Sequence, residues 1–450
     1  MTEKDIYQLI AQQQLNIPKN LHNFILNNYQ DLGKQDIARI IELANVEREN
    51  HSAYYTNDFI IQHIADNLPS FDDKEEITII EPSVGAGNFL HCLFEKYKYK
   101  KKVKIIAIDI NHHILDILGF LFNKERIPAN FEIEFVCDDF IYFYPNQNID
   151  LIIGNPPFTK LNQKILSKYK QCYSFSKDLK NLAGLFLEKA LSEAEYVSLI
   201  MPKNILNTPE YQQTREKIKQ CNVQHILDFG ELGFKGVLIE TVNILVKSTG
   251  TQDKIKIHSL PKKELIYQSA NYIFDDNLPY WVIYRNTEFD KVFEQLTFDL
   301  FTVFRDRQIT NSVTHSQKND DCVRVLKSRN IDNTGENIVD ITDYDAFINI
   351  DKLKNLSVYS YLDRDDVYLT PNMTYNPRVM PKPKGVVVNG SVAILIPKQK
   401  MVLNHKQLNY FASDEFRQFY KIARNYQTRS LNIDSHSVFW FGINRVEMGA

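Results

Sequence analysis

Asn155-Pro156-Pro157-Phe158 concentrates the most chemistry into the fewest residues of this 450-residue chain. It follows an apolar run, IDLIIG, that reads as a buried strand. The two prolines carry no N–H and hold the chain extended and stiff. The Asn155 side-chain oxygen and the Pro156 carbonyl are acceptors suited to gripping an exocyclic NH2 group. Phe158 adds a flat apolar face on which a planar base stacks.

A second constellation lies upstream, in ITIIEPSVGAGNFL (77–90). An apolar strand runs into Glu81, Ser83, Gly85 and Gly87 and then into a helical pattern. Glycines at these positions allow a tight turn and close backbone approach to a ligand at a helix N-terminus. The turn is not a GxGxxG, and a Gly-x-Gly alone is equally a plain strand-to-helix turn. A carboxylate at the strand end, Glu81, favours a cationic ligand, and S-adenosylmethionine has a cationic amino acid end. The next strand, KVKIIAIDI, ends in Asp109 and Ile110, and an acid about 20 residues after such a turn suits ribose hydroxyls. After a third strand come Asp138, Asp139 and Phe140. One carboxylate there is expected to accept from an adenine amino group, with Phe140 against the ring face.

These groups need a scaffold that brings strand ends together. Apolar runs at 77–80, 103–108, 131–136, 150–153, 197–201, 223–229 and 242–246 alternate with helical stretches such as 182–194. Continuous apolar strands alternating with helices indicate a doubly wound α/β fold with a mostly parallel sheet. Open sheets of this kind bind ligands at the carboxyl ends of their strands, where all the residues above fall. Residues 1–50 read as a helical extension, 51–250 as the catalytic domain, and 251–450, after the linker-like STGTQDK, as a separate α+β domain.

The chain resembles the gamma-class (TaqI-like) adenine-N6 DNA methyltransferases of restriction-modification systems. Glu81-Pro82 with Gly85-x-Gly87 is similar to the family's cofactor motif, and Asn155–Phe158 to its catalytic motif, with Phe158 where Tyr is commonest. Tyr54-Tyr55-Thr56-Asn57-Asp58-Phe59-Ile60 resembles the motif near the methionine part of the cofactor, which implies Tyr55 and Thr56 as contacts. Phe234, in FGELGF, falls where the family places an aromatic that sandwiches the flipped base. VRVLKSRNID (323–332) and LNYFASDEFRQFY (408–420) look like target-recognition segments, and the first offers Lys327 and Arg329 to DNA. The resemblance implies a Rossmann-like methyltransferase sheet with a C-terminal target-recognition domain, and S-adenosylmethionine as cofactor. It also implies double-stranded DNA as partner, a monomer on DNA, and in some systems a separate restriction endonuclease.

Asn155 Oδ1 and the Pro156 carbonyl are then expected to accept both N–H groups of the adenine amine and localise its lone pair. Attack on the sulfonium methyl is direct, on a base flipped out of the duplex. None of the five cysteines follows a proline, so no covalent cytosine-type nucleophile is present. The same loop serves enzymes acting on cytosine N4, on RNA and on glutamine amides. The 200-residue C-terminal part argues against the glutamine enzymes. The stretch before residue 51 is too short for a nuclease core, and no Glu-x-Lys triplet occurs.

Composition alone points away from nucleic acid, because the net charge is only −3. Position reverses that reading. Residues 1–250 hold 27 Lys/Arg against 32 Asp/Glu, whereas 371–430 hold ten Lys/Arg and two acids. Interleaved with Tyr375, Tyr410, Phe416, Phe419, Tyr420 and Tyr426, that stretch reads as a phosphate- and base-contacting surface. Its contacts are expected from Arg378, Lys382, Lys384, Arg424 and Arg429. The scattered cysteines show neither disulfide nor zinc spacing, and no metal is expected. With no apolar signal core and no run of the ~20 residues needed to span a bilayer, a cytoplasmic protein is expected.

Overall fold

The computed structural model describes residues 1–45, 58–125, 127–234, 238–251, 253–428 and 431–444. The chain forms two compact units, Met1–Ile205 with Glu210–Asn271, and Leu206–Pro209 with Tyr272–Ala450.

The first unit is built on a nine-stranded sheet. Its strands are β1 (Glu76–Glu81), β2 (Lys102–Asp109), β3 (Phe131–Cys137), β4 (Ile149–Gly154), β5 (Ala194–Pro202), β6 (Asn222–Gly230), β7 (Thr241–Lys247), β8 (Lys254–Ser259) and β9 (Glu264–Ser269). All seven strands expected from the apolar runs are present. The order is β3-β2-β1-β4-β5-β7-β6-β8-β9, and only β7 and β9 run against the rest. The chain fills one side of β1 and then crosses to β4 on the other. The strand order therefore reverses between β1 and β4, the place where open α/β sheets form a ligand crevice.

Alternate residues of the central strands (Ile77 and Ile79, Val103 and Ile105, Leu151 and Ile153) share one core with helices Asn88–Tyr97 and His112–Lys124. Ile6, Ile25, Ile40 and Ile41, from the N-terminal helices Glu3–Gln13, Pro18–Asn28 and Lys34–Ala44, are buried in the same core. At about 1.5–3 kcal/mol per fully buried aliphatic side chain, these helices are integral to the unit, not an appendage. Helix Leu182–Glu193 is buried along residues 183–190 and packs on β5; its buried Glu188 is answered by Ser176, Thr214 and Lys217.

The sheet continues past residue 250. STGTQDK joins β7 to β8 within the same unit instead of linking two domains, and the border falls at 271/272. β8 is half-polar, with Ile255 and Ile257 buried between Lys254, Lys256 and His258, so it lacks the continuous apolar signature of the inner strands.

The second unit is α+β. It contains a four-stranded antiparallel sheet (Phe301–Arg305, Val392–Pro397, Tyr368–Pro371, Met380–Pro381) and a three-stranded one (Ala346–Asn349, Cys322–Leu326, Val386–Val388). Helices Thr287–Gln295 and Asp414–Ala423 enclose an aromatic cluster of Phe289, Phe298, Phe419 and Trp440. Leu206–Pro209 belongs here although the chain around it belongs to the first unit: Leu206 O accepts from Trp281 N, and Asn207 is hydrogen-bonded to Gln427. No helix of the described residues is long and apolar enough to cross a membrane.

Candidate active site

β1 delivers Glu81 to the crevice, and the chain then turns through Gly85 (φ +50°) and Gly87 (φ +76°) before helix Asn88–Tyr97. Asp109, at the end of β2, holds this turn. One of its oxygens accepts from Gly85 N at 2.9 Å and the other from Asn111 N at 2.9 Å. Left-handed backbone at 87 explains the glycine, and a Cβ there would sit 3.2 Å from Leu118 Cδ2. Gly87→Ala is expected to destabilise the protein by about 1–2 kcal/mol, seen as a lower urea midpoint with unchanged slope.

The crevice is a cleft of about 400 Å³, within the range of small-molecule sites. The structure brings Glu81, Ser83, Gly85, Asp109, Ile110, Asp139, Phe140, Asn155 and Pro157 together along its wall, while Gly87, Pro156, Phe158 and Phe234 lie off it. Tyr55 and Thr56 fall outside the described residues. Sequence reasoning missed Ile41, Glu42 and Asn45, at the end of helix Lys34–Ala44, and Leu161, Ile165 and Tyr169, in and before helix Gln163–Cys172. Nothing in helical spacing marks which end of a helix faces a cleft.

Glu81 is 1% exposed, and its Oε2 has no hydrogen-bond partner among the described residues. Burial, and then the nearby Asp109 carboxylate, push its carboxyl well above the usual range. A buried carboxyl without a partner costs stability. Asp139 is more fully engaged than a purely ligand-facing acid: it accepts from Ile141 N at 2.9 Å and from the Tyr169 hydroxyl at 2.6 Å. Phe140 is 1% exposed and braced by the Phe186 ring at 4.9 Å and the Lys189 ammonium at 5.4 Å.

The Asn-Pro-Pro-Phe loop is pinned at both ends. Ser83 Oγ donates to the Asn155 carbonyl at 3.1 Å, Asn181 Nδ2 donates to the Phe158 carbonyl at 2.8 Å, and Leu182 N donates to the Thr159 carbonyl at 2.8 Å. Helix Leu182–Glu193 thus holds the far end of the loop through its own N-terminus. The Phe158 and Phe234 rings meet at 5.8 Å and are tilted by 58°. The two expected base-stacking aromatics are therefore neighbours, and a base between them requires that they part.

The basic stretch of the second unit reads differently once folded. Arg378, Lys382 and Arg424 are buried, not surface cations. Arg378 donates to the Ile331, Asn376 and Ser328 carbonyls, Lys382 to those of Leu362, Arg364 and Pro383, and Arg424 to the Tyr420 hydroxyl and the Asn432 carbonyl. Their charge is spent on carbonyls left over by irregular backbone. Phe416, Phe419 and Tyr420 are core residues. Lys384 is exposed and paired with Asp365 at 3.1 Å, while Lys327 and Arg329 lie over the Tyr344 ring at 3.9 and 4.7 Å. Arg429 falls outside the described residues. Arg424→Ala is expected to cost about 2–4 kcal/mol of stability, measured by denaturant unfolding, as a packing defect and not as a lost phosphate contact.

Residues 86–234 match the Eco57I restriction-modification methylase family. Among curated relatives, the Type II methyltransferase M.VspI of Vibrio sp. is 23% identical over 252 residues, 52% of this chain and 57% of the relative. The Type II methyltransferase M.TthHB8I of Thermus thermophilus is 23% identical over 185 residues, 38% of this chain and 40% of the relative. The chain thus spans about half the length of the curated relatives it matches. Among solved structures, the Type IIL restriction-modification enzyme MmeI, in complex with DNA, superposes with a TM-score of 0.55 at 11% identity, over 98% of this chain and 67% of that one. This likeness establishes the fold alone, a doubly wound, mostly parallel α/β sheet with a further α+β unit.

Proposed function

We propose that this chain is an S-adenosylmethionine-dependent DNA methyltransferase of the restriction-modification type, acting on N6 of an adenine flipped out of duplex DNA. The observation that carries the reading is the convergence, in one cleft, of a buried carboxyl whose Oε2 has no partner among the described residues (Glu81) with Asn155 and Pro157 of the Asn-Pro-Pro-Phe loop. The cofactor fits the residues present. Glu81 offers an uncompensated acceptor to its cationic amino acid end, and Asp109 and Asp139 offer acceptors to its ribose and adenine. Ile110 and Phe140 supply apolar contact for the purine.

When bound, S-adenosylmethionine supplies an electrophilic methyl group. The chain's own residues orient and activate the acceptor. Asn155 Oδ1 and the Pro156 carbonyl accept the two N–H groups of the adenine amine, which draws its lone pair out of ring conjugation. Phe158, with Phe234 opposite, holds the base plane and keeps water away. Because both acceptors sit on a loop stiffened by two prolines and pinned by Ser83 and Asn181, little reorganisation is needed at the moment of transfer. The protein acts as a monomer on DNA, and a separate restriction endonuclease cleaves unmodified sites in systems that have one.

The test is transfer of labelled methyl from S-adenosylmethionine to duplex DNA, followed by nucleoside digestion and mass spectrometry. Label in N6-methyldeoxyadenosine is the expected result. Label in cytosine, RNA or protein overturns the assignment of the acceptor.

A further inference from the structure

The segment that follows the catalytic loop is one-sidedly basic. Residues 159–180 hold six lysines and a single acid, Asp178. Lys160, Lys164, Lys168, Lys177 and Lys180 are exposed, and none makes an ion pair with a described residue. The other dense basic run, KYKYKKKVK (96–104), behaves differently. It lies at the start of β2, the opposite end of the sheet from the cleft, and its charges are answered: Lys98 by Glu95, Lys101 by Glu75, Lys102 by Glu132 and Lys104 by Glu134.

Two details say that the first set is not ordinary solvated helix surface. Lys164 stands in the first turn of helix Gln163–Cys172, which holds no acidic residue there. The helix dipole disfavours a cation at that end, so the sequence breaks a local rule with no compensation inside the fold. The helix also carries aromatics on its flank. Tyr142 packs on Tyr169, the Tyr144 hydroxyl donates to the Cys172 carbonyl, and both Tyr142 and Tyr144 are exposed. Lys160 is two residues beyond Phe158, and Lys164 and Lys168 follow at helical spacing, about 6 Å apart along the axis. Leu161, Ile165 and Tyr169 line the cleft, so the lysine row starts beside the catalytic loop and runs along the cleft's side.

We propose that Lys160, Lys164 and Lys168 grip the phosphate backbone of the DNA strand that carries the target base, next to the point where that base enters the cleft. This assignment rests on the DNA acceptor proposed above. The partner follows from the chemistry: unneutralised, regularly spaced cations beside exposed aromatic rings match a polyanion with planar bases. It places phosphate contacts on the first unit, where the buried Arg378, Lys382 and Arg424 of the second cannot supply them.

The test uses the full chain and a short duplex, with fluorescence anisotropy over a range of salt. The triple variant K160Q/K164Q/K168Q should bind DNA at least about ten-fold more weakly, with the slope of log affinity against log salt reduced by about 2.7 for three lost phosphate contacts. Its calorimetric affinity for S-adenosylmethionine and its melting temperature should stay at wild-type values. K98Q/K101Q/K102Q should leave the slope unchanged. Wild-type DNA binding with an unaltered slope in the 160–168 variant overturns the lysine surface alone. Absence of DNA binding by the wild-type protein overturns the functional reading and this assignment together. A slope loss seen with single-stranded RNA but not with duplex DNA overturns the duplex as its partner.

Discussion

Asn155→Ala is expected to lower the rate of methyl transfer by about 10²–10³-fold, the usual effect of deleting one preorganised hydrogen-bonding group at a reacting centre. Cofactor affinity should be nearly unchanged, because the Asn155 backbone carbonyl still accepts from Ser83 and the glycine turn does not depend on the side chain. Single-turnover rates separate this from a binding defect: the loss should appear in the transfer step at saturating DNA and cofactor. An alanine variant that transfers methyl at the wild-type rate would remove Asn155 from the chemistry.

Glu81→Gln should move stability and cofactor affinity in opposite directions. Burial and Asp109 raise the folded-state pKa of Glu81 above its unfolded value. Between those two values the folded protein holds a proton that the unfolded chain has lost, so stability falls as pH rises through that window. Above it the ligand-free protein carries an unpaired buried charge. Glutamine removes the ionisable group, and the ligand-free variant should melt a few degrees higher than wild type as pH rises above the unfolded-state value, with a flatter pH dependence. It should also bind S-adenosylmethionine about 10- to 100-fold more weakly, having lost a charge-assisted contact. Calorimetry in buffers of different ionisation enthalpy should show proton release on binding by the wild type within the same window, absent in the variant. Equal affinity of the two proteins would refute the role of Glu81.

What the sequence made legible follows from how each residue finds its partners. β1, β2 and β4–β7 were readable because inner strands covered on both faces are largely apolar, and the edge strand β3 because Phe131, Ile133 and Phe135 alternate with Glu132 and Glu134; the glycine turn, Asp109 and the Asn-Pro-Pro-Phe loop each lie within a few residues of such a strand. Parallel topology then forces them to one edge. β8 and β9 were not readable, because towards the sheet edge Lys254, Lys256 and His258 interrupt the apolar run. The fate of Arg378, Lys382 and Arg424 was hidden for a different reason: the carbonyls that receive them belong to Ile331, Leu362 and Asn432, and a backbone acceptor leaves no trace in side-chain composition. The Tyr169 hydroxyl on Asp139 comes from 30 residues away and was equally invisible.

The path of the chain between the two units limits how such proteins can recombine. Leu206–Pro209 is covalently embedded in the first unit but is bonded within the second, through Trp281 and Gln427. A single crossover at any position therefore parts one unit from some of its own residues. A cut at 250 does further harm, since it strips β8 and β9 and bares the flank of β6 as an unpaired strand edge. Exchange of the second unit between homologues would require a join after Asn271 together with matched replacement of residues 206–209. The topology thus disfavours exchange of the second unit as a single block.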